Sequence, residues 1–350
     1  MKKIFETVTV LVMNLQMFAD PNPNATTDAG LSAENKTYYD KALIEEAKPL
    51  LIHAQFAQKR PIPKNGGKKI EFRKYASLPK ATTPLTEGVT PDGQKLSVST
   101  IEAEVNQYGG YVTLTDMLDL TALDNNVLEA TKAVGNQAGL TLDTIVRNVL
   151  HSGTNVYYCP EVDEEGKRTA TPQPTDRSML TAGCKLTVKA VKRAVTILKA
   201  VNAPKINGSY VAIVHPYVAE DLMNDPKWEE MHKYCRPEEE FEGELGRIAG
   251  CRFVESSEAM IYTGAENDCP DGLAVFGTIF LGANAYGDTE ITGGGLQTII
   301  KQLGSAGTAD PLNQRSTVGW KATKTAEILL DAYMLRVESC SDHSEDAEAN

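Results

Sequence analysis

Residues 101–150 read IEAEVNQYGGYVTLTDMLDLTALDNNVLEATKAVGNQAGLTLDTIVRNVL, and the spacing of their apolar residues changes once along the stretch. Residues 101–105 and 112–115 alternate apolar with polar residues, which is the period of a β-strand. From residue 117 to 150 the apolar residues recur every three or four positions, which predicts an amphipathic helix. The stretch therefore predicts strands that lead directly into a long helix.

The predicted helix is unusually long. Thr115 or Asp116 can cap its start and Gly153 follows its end. Uninterrupted over residues 117–150, it would be about 50 Å long, which exceeds what a globular core requires and suits a structural spine. Gly135 and Gly139 lie inside it and leave room for a bend, because each costs about 1 kcal/mol relative to Ala.

An extended hairpin is predicted before the helix. Residues 69–73 alternate like residues 101–105, and the connection from Leu78 to Leu96 is rich in proline and glycine. Long connections of this kind are often functional. Because an isolated two-stranded hairpin is marginally stable in water, we expect this one to lie on a partner molecule.

The remaining chain mixes helices and strands without βαβ alternation, so the predicted class is α+β. Residues 19–31 resemble a flexible arm and residues 33–47 a helix. Thr187 caps a further helix, and residues 210–214 form a buried strand. Residues 328–337 predict a final long strand, and the acidic tail from 339 to 350 is expected to be disordered.

Composition restricts the function classes. Of 350 residues, 41% are hydrophobic, which is enough for a core, and the formal net charge of −12 argues against a protein that coats nucleic acid. The six cysteines have irregular spacing, which indicates free thiols in a reducing compartment. The apolar run at residues 8–13 is too short to span a membrane and lacks a cleavage site, so no export signal is predicted. Met13 is a candidate alternative start of translation.

The sequence offers no catalytic constellation. Walker, H-E-x-x-H and G-x-S-x-G motifs are absent and the five histidines are dispersed, so we predict no enzyme, cofactor or metal. His215 precedes Pro216, which fits the first turn of a helix better than a catalytic site. Residues 238–242 are interpreted as a solvated acidic loop rather than a cation site. Glu102 and Glu104 share one strand face and suit salt bridges across an interface.

Several short motifs occur in a family order. They are Leu85-Thr86-Glu87-Gly88, Tyr111-Val112-Thr113-Leu114-Thr115-Asp116, Gly282-Ala283-Asn284-Ala285-Tyr286-Gly287, Asp310-Pro311-Leu312-Asn313-Gln314 and Gly319-Trp320-Lys321. In this order they resemble the major capsid proteins of tailed bacteriophages, which have the Hong Kong 97-type fold. The closest likeness is to the N-four-like podophage head proteins, and it covers residues 13–338.

The resemblance implies a domain organisation. It comprises an N-terminal arm (1–60), an extended hairpin loop (61–112), a peripheral domain with the spine helix (113–184 and 285–338), an axial domain (185–284) and an acidic tail (339–350). The residues expected at assembly contacts lie in the hairpin and are Ile70, Phe72, Leu85, Glu87, Gly88, Ile101, Glu102 and Glu104.

The resemblance also implies a function. A protein of this family assembles in the host cytoplasm through pentamers and hexamers into an icosahedral shell, the viral head, which encloses double-stranded DNA without sequence-specific binding. Its expected partners are copies of itself, scaffolding and portal proteins, and decoration proteins, with no membrane. The alternatives are an encapsulin-type compartment shell, an α+β enzyme of unrecognised type, and a tail-tube or adhesion protein.

Overall fold

A computed structural model describes most of the chain. The described residues are 43, 51–75, 78, 80–84, 87–88, 90, 93–121, 125–163, 167–169, 172–228, 246–305, 307 and 310–350. The predicted flexible segment 19–31, the acidic run at 238–242 and Leu85 lie outside these residues. So does the helix predicted over 33–47, except for Leu43, which is helical and buried.

The described elements confirm the α+β class. The helices are α1 (Asp116–Thr121), α2 (Asn126–His151), α3 (Val188–Ala200) and α4 (Pro216–Met223). The strands up to residue 214 are β1 (Gln58–Lys59), β2 (Lys69–Tyr75), β3 (Val98–Glu104), β4 (Asn106–Thr115), β5 (Val156–Tyr158) and β6 (Tyr210–Val214). The later strands are β7 (Arg247–Ile248), β8 (Cys251–Glu255), β9 (Ile261–Tyr262), β10 (Val275–Leu281), β11 (Tyr286–Thr289), β12 (Gln297–Lys301), β13 (Arg315–Ile328) and β14 (Met334–Ser339).

The first sheet is organised around β13. Its order is β1-β11-β13-β12, and β4 pairs antiparallel with β13 from Arg315↔Thr115 to Lys324↔Asn106. Helix α2 covers one face of this sheet, where Val134, Ala138 and Leu142 pack against Trp320 and Ala322. These residues recur at the three-and-four spacing of the helix and the two-residue spacing of the strand, as amphipathic packing requires.

The predicted long spine helix is confirmed over α2, but the helix is not unbroken from residue 117 to 150. Helix α1 ends at Thr121, and α2 begins after Asn125, whose backbone is extended with φ −76° and ψ 90°. The Asn125 side chain accepts a hydrogen bond from the backbone N–H of Leu128 at 3.2 Å, which makes it the N-cap of α2. The 26 residues of α2 correspond to about 39 Å, and the helix continues through Gly135 and Gly139.

The second sheet forms a separate core. Its order is β5-β14-β10-β6-β8-β7, with β9 also on β10. Every residue of β6 and β10 is buried, as expected for strands covered on both faces. Helices α3 and α4 contribute Val191, Val195 and Leu222 to this core. Strands β5 and β14, which the sequence assigned to the peripheral domain, pair in this sheet.

The final strand prediction over 328–337 was wrong because the chain changes sheets there. Strand β13 ends at Ile328 in the first sheet, a 3₁₀ turn follows at Asp331–Tyr333, and β14 continues in the second sheet. Apolar residues occur on both sides of the turn, with Leu329 and Leu330 before it and Met334 and Leu335 after it. Pattern alone therefore does not reveal the break.

The predicted cap at Thr187 is confirmed, and so is the placement of Pro216 in the first turn of a helix. Thr187 Oγ1 accepts a hydrogen bond from Ala190 N–H at 3.3 Å. His215 Nδ1 accepts one from Tyr217 N–H at 3.2 Å, and Pro216 occupies the first turn of α4. Burial lowers the pKa of His215 to about 4, which keeps the imidazole neutral and able to accept this bond near neutral pH.

The prediction of a disordered tail was also wrong. Cys340, Ser341 and Ser344 are buried. Ser344 O accepts a hydrogen bond from Ala274 N–H at 2.8 Å, and the Asn350 side chain accepts one from Ile261 N–H at 3.2 Å. The acidic composition predicted solvation, but these small side chains allow the tail to pack against the second sheet.

A buried ion cluster joins the end of α2 to the second sheet. Glu338 on β14 is fully buried and accepts two bonds of 2.7 Å from Arg177 and one contact of 2.8 Å from Arg336 Nε. Arg336 also donates to the carbonyls of His151 and Gly153. Burial lowers the pKa of Arg177, but the hydrogen bond and charge of Glu338 raise it, and the net effect is an increase.

We predict that Glu338→Gln destabilises the fold strongly. The substitution leaves two largely buried arginines without their counter-charge, which typically costs about 3–5 kcal/mol. Glu129→Gln is the matched control, because the Glu129–Lys132 pair at 2.8 Å is solvent-exposed and such pairs contribute roughly 0–1 kcal/mol. Urea denaturation of both variants measures the difference. Equal losses of unfolding free energy would contradict this account.

Candidate functional site

The hairpin is confirmed as an antiparallel pair. Strands β2 and β3 pair from Lys69↔Glu104 to Tyr75↔Val98 as a separate two-stranded sheet. Strand alternation gives it one apolar and one polar face. Ile70, Phe72, Ile101 and Ala103 belong to the apolar face.

Phe72 anchors the root of the hairpin to its own chain. It is 4% exposed, and a Cβ added at Gly287 would lie 2.8 Å from its ring, so the ring rests directly on the β11 backbone. The Arg60 guanidinium lies 5.9 Å from the ring centroid. The contacts of Phe72 are therefore internal, whereas we had expected this residue at an assembly contact. Ile70 and Ile101 are half-buried beside it.

The opposite face of the hairpin is acidic. Glu71, Glu102 and Glu104 are exposed there, and Glu71 lies directly opposite Glu102. Like charges at such positions are destabilising. The Lys69–Glu102 contact of 3.4 Å joins two side chains that are more than half exposed, so it offsets little of this repulsion. Lys69 and Arg73 are exposed on the same face, so three carboxylates stand against two cations there. The face, called the acidic face here, has a net negative charge and suits a cationic partner surface.

The far end of the hairpin exposes apolar side chains. Leu78, Leu96 and Val98 are 51%, 67% and 48% exposed. Of the predicted residues in the connection, Glu87 and Gly88 are exposed, and Gly88 has a φ of +76°, which favours glycine. An apolar tip on a projecting hairpin is typical of an interaction site.

A groove lies on the face of the first sheet opposite α2. Trp320 points to the helix, where its Nε1–H donates to Gln137 Oε1 at 3.1 Å. Because successive side chains of a strand point to opposite faces, Thr317, Gly319 and Lys321 of β13 lie on the face away from α2. The groove has a volume of about 600 Å³ and is lined by Gly109, Gly110, Tyr111, Thr113, Ile299, Lys301, Ser305, Arg315, Thr317, Gly319 and Trp320. This basic groove has no carboxylate in its lining.

Glycines form the floor of the basic groove. A Cβ at Gly319 would lie 2.8 Å from Tyr111 Cβ, and one at Gly109 would lie 2.6 Å from Trp320 O. Side chains at these positions would force β4 and β13 apart. Tyr111 is 75% exposed at the edge of the groove. Sequence reasoning missed this site, although glycines inside a strand pattern indicate close backbone approach.

The buried polar residues of the described chain serve structure. His53 Nδ1 lies 2.6 Å from Asp143 Oδ2, and Asp143 Oδ1 accepts the His53 backbone N–H at 2.8 Å. His151 Nδ1 lies 2.9 Å from the Tyr262 hydroxyl, and burial lowers the pKa of His151. The five described cysteines are free and buried, and no cluster of three metal-ligating side chains occurs in the described ranges.

None of the helices within the described ranges is long and apolar enough to cross a bilayer. The two distinctive surface features of the described residues are the hairpin, with its acidic face and apolar tip, and the basic groove. Exposed apolar and charged surfaces of this kind are typical of interaction sites.

Solved structures share this fold. The chain is similar to a chain from the capsid of cyanophage P-SCSP1u, with a TM-score of 0.61 and 12% identity over 82% of this chain and 87% of that one. The capsid of cyanophage Pam1 gives a TM-score of 0.61 and 13% identity over 85% and 93%. The capsid of Ralstonia phage GP4 gives a TM-score of 0.60 and 14% identity over 85% and 90%. These likenesses confirm the predicted Hong Kong 97-type fold.

Sequence comparison identifies the family. No curated protein matches the chain. A family model described as phage capsid protein matches residues 98–326, which is more than half of the sequence and includes β3, the spine helix, the second sheet up to β10 and most of β13. The predictions of a virion structural protein rather than an enzyme are thereby confirmed. The chain belongs to the phage capsid protein family.

Proposed function

We propose that this capsid protein is the major shell subunit of a phage head and assembles through pentamers and hexamers into an icosahedral shell around double-stranded DNA. The observation that carries the proposal is the projecting hairpin, whose apolar tip contacts none of the described core clusters of its own chain. The family match favours a phage head over an encapsulin-type compartment shell. The net charge of −12 favours enclosing DNA without binding it tightly.

The hairpin of one copy lies across its neighbour in this proposal. Leu78, Leu96 and Val98 would lose contact with water there, and each fully buried apolar side chain contributes about 1.5–3 kcal/mol. Ile70 and Ile101 support the hairpin from its root. Glu87 and Gly88, with Leu85, belong to the part of the connection that adapts to each neighbour.

The basic groove is a suitable receiving surface for the acidic face. Glu71, Glu102 and Glu104 form a row of exposed carboxylates, and Lys301, Lys321 and Arg315 lie on the groove face. Complementary charges fix the register of an interface and suppress wrong pairings more than they add affinity. Tyr111 and Ile299 add apolar area beside these charges.

The two sheets support a division into two domains. We assign the first sheet with α1 and α2 to a peripheral domain, and the second sheet with α3 and α4 to an axial domain. We assign residues 1–60 to the arm, whose last part packs on α2 through His53 and on β11 through β1. The motifs at 310–314 and 319–321, which lie just before and within β13, support a placement near the N-four-like podophage head proteins.

A subunit that builds a closed shell is expected to have further protein partners. Scaffolding and portal proteins would set the size of the shell and its single opening, and decoration proteins would bind the outer surface. The sequence resemblance is the support for these partners. Tail-tube and adhesion functions would require open assemblies, because heterologous contacts form filaments when the rotation does not close.

The direct test is negative-stain electron microscopy of the protein expressed alone and with its neighbouring genes. We expect closed shells, or free pentamers and hexamers. A stable monomer under every condition, with a scaffolding protein included, would refute the proposed function.

We predict that Leu96→Asp prevents assembly and leaves the fold intact. The charge would have to be desolvated in the interface, whereas in the free chain position 96 is solvent-exposed and tolerates it. Thr82→Asp is the matched control, because Thr82 is an exposed polar residue of the same connection. Size-exclusion chromatography measures assembly and circular dichroism measures the fold. Normal shells from Leu96→Asp would exclude the tip from the interface.

We also predict that a charge exchange rescues assembly. Glu102→Lys with Glu104→Lys, or Lys301→Glu with Lys321→Glu, should each reduce the shell yield at least about tenfold, because like-charge juxtaposition costs several kcal/mol. All four substitutions together should restore most of the yield.

The control exchanges Glu129 and Lys132, an exposed pair on α2, and should assemble normally. If the fourfold variant fails as severely as both double variants combined, the acidic face binds elsewhere. The proposed function itself would still stand if the wild type forms shells.

A further inference from the structure

Residues 340–350, called the tail here, form a strap across the second sheet. His343 Nε2 lies 3.0 Å from Glu220 Oε2, and its ring stacks on Tyr217 with 4.5 Å between centroids. Ser341 Oγ donates to Tyr217 O at 3.4 Å. The tail is therefore fastened along helix α4.

The far end of the strap reaches the spine helix. Arg147 on α2 is 3% exposed, and its guanidinium donates to Asn350 O at 3.0 Å and to Glu258 O at 2.9 Å. The Asn350 amide also donates to Ala259 O at 2.9 Å. The tail thus bridges α4 of the second sheet and α2 of the first, and its docking couples the two layers.

Two carboxyl groups face each other where the tail meets α4. Asp221 is 7% exposed, and its Oδ2 atom has no hydrogen-bond partner in the described chain. Asp221 Oδ1 lies 3.5 Å from the backbone nitrogen of Asp342. Lys185 forms an ion pair with Asp342. The ammonium group at this junction therefore neutralises the carboxylate of the tail rather than that of Asp221.

The surroundings of Asp221 favour its neutral form. Burial, together with the charge of Asp342, raises the pKa of Asp221 to about 6, although Ser341 and Lys185 oppose this shift. The bond to Lys185 lowers the pKa of Asp342. The other titratable groups around the pair are Cys340 and His343 of the tail and Glu220 of α4.

We propose that Asp221 and Asp342 form a proton-operated latch that holds the tail on the body in mild acid and loosens it as the pH rises. With a proton, Asp221 donates an O–H bond to the ionised carboxylate of Asp342. When Asp221 loses this proton to water, two carboxylates face each other across a largely buried junction. Repulsion and the desolvation of Asp221 then favour the undocked tail.

The sign of the pH dependence follows from the raised pKa. A carboxyl in the undocked tail state has an ordinary pKa near 4, whereas docked Asp221 titrates near 6. Between these values the docked state binds more protons, so docking is strongest below about pH 4 and weakens until about pH 6. Above that the tail remains docked less tightly, through Glu220, Arg147 and the backbone.

The test is hydrogen–deuterium exchange of the full-length protein from pH 5 to pH 8, read by mass spectrometry and corrected for the intrinsic rate at each pH. The opening equilibrium of residues 340–350 should increase about tenfold across this range, because only about one of the two pKa units that separate the undocked and docked states lies above pH 5. Peptides from β10 serve as the internal reference for global unfolding. An opening equilibrium that does not change with pH would overturn the latch.

Matched variants isolate the two carboxyl groups. Asp221→Asn keeps a donor toward Asp342 without a titratable proton, so the tail should stay docked at all pH values. Glu220→Gln weakens the His343 contact but should retain the pH dependence. Asp342→Asn removes the repulsion but leaves Asp221 buried, so it should reduce the pH dependence without abolishing it. If Asp221→Asn and Asp342→Asn both retain the wild-type pH dependence, another group controls the tail and the proposal is wrong.

Discussion

The alternation of buried and outward-facing side chains along β13 is the constraint on which the rest of this molecule depends. Val318, Trp320 and Ala322 are buried beneath α2, and they determine which face of the strand looks outward. Thr317, Gly319 and Lys321 consequently line the opposite surface, beside β4 and β12. A shift of the β4–β13 register by one residue would bring Trp320 into the groove and Lys321 under the helix. The packing of the first core and the charge of the outer surface are therefore two consequences of a single register.

The body and the hairpin are stabilised in different ways. Glu338 with its two arginines, His53 with Asp143, and Arg147 with the tail tie α2, the segment before β1 and the second sheet together through buried polar bonds. Such bonds contribute to a unique geometry more than to net stability. The hairpin has mainly Phe72 and Ala103 to hold it at the root. A subunit that must fit several neighbours benefits from this contrast, because the body keeps its shape while the hairpin adapts.

Local sequence patterns were sufficient to predict most helices and strands, but they were insufficient to predict contacts between residues far apart in the chain. The hairpin, the cap at Thr187, Pro216 in a first helical turn, and the strands β2, β3 and β6 were predicted because each depends on neighbouring residues. The break at Asn125 was missed because apolar spacing continues across it, and the tail was misjudged because its net charge conceals buried Ser341 and Ser344. The basic groove could not be predicted, since Tyr111, Ile299 and Arg315 meet only after three strands pair. The His53–Asp143 pair, which spans 90 positions, was missed for the same reason.

Cryo-electron microscopy of shells formed by the purified protein tests the central claim most directly. The account predicts that the hairpin of each subunit crosses the outward face of β13 in the next subunit, with Glu102 and Glu104 near Lys301 and Lys321 and with Leu96 buried. Closed shells in which the basic groove is empty and the acidic face points to solvent would contradict it.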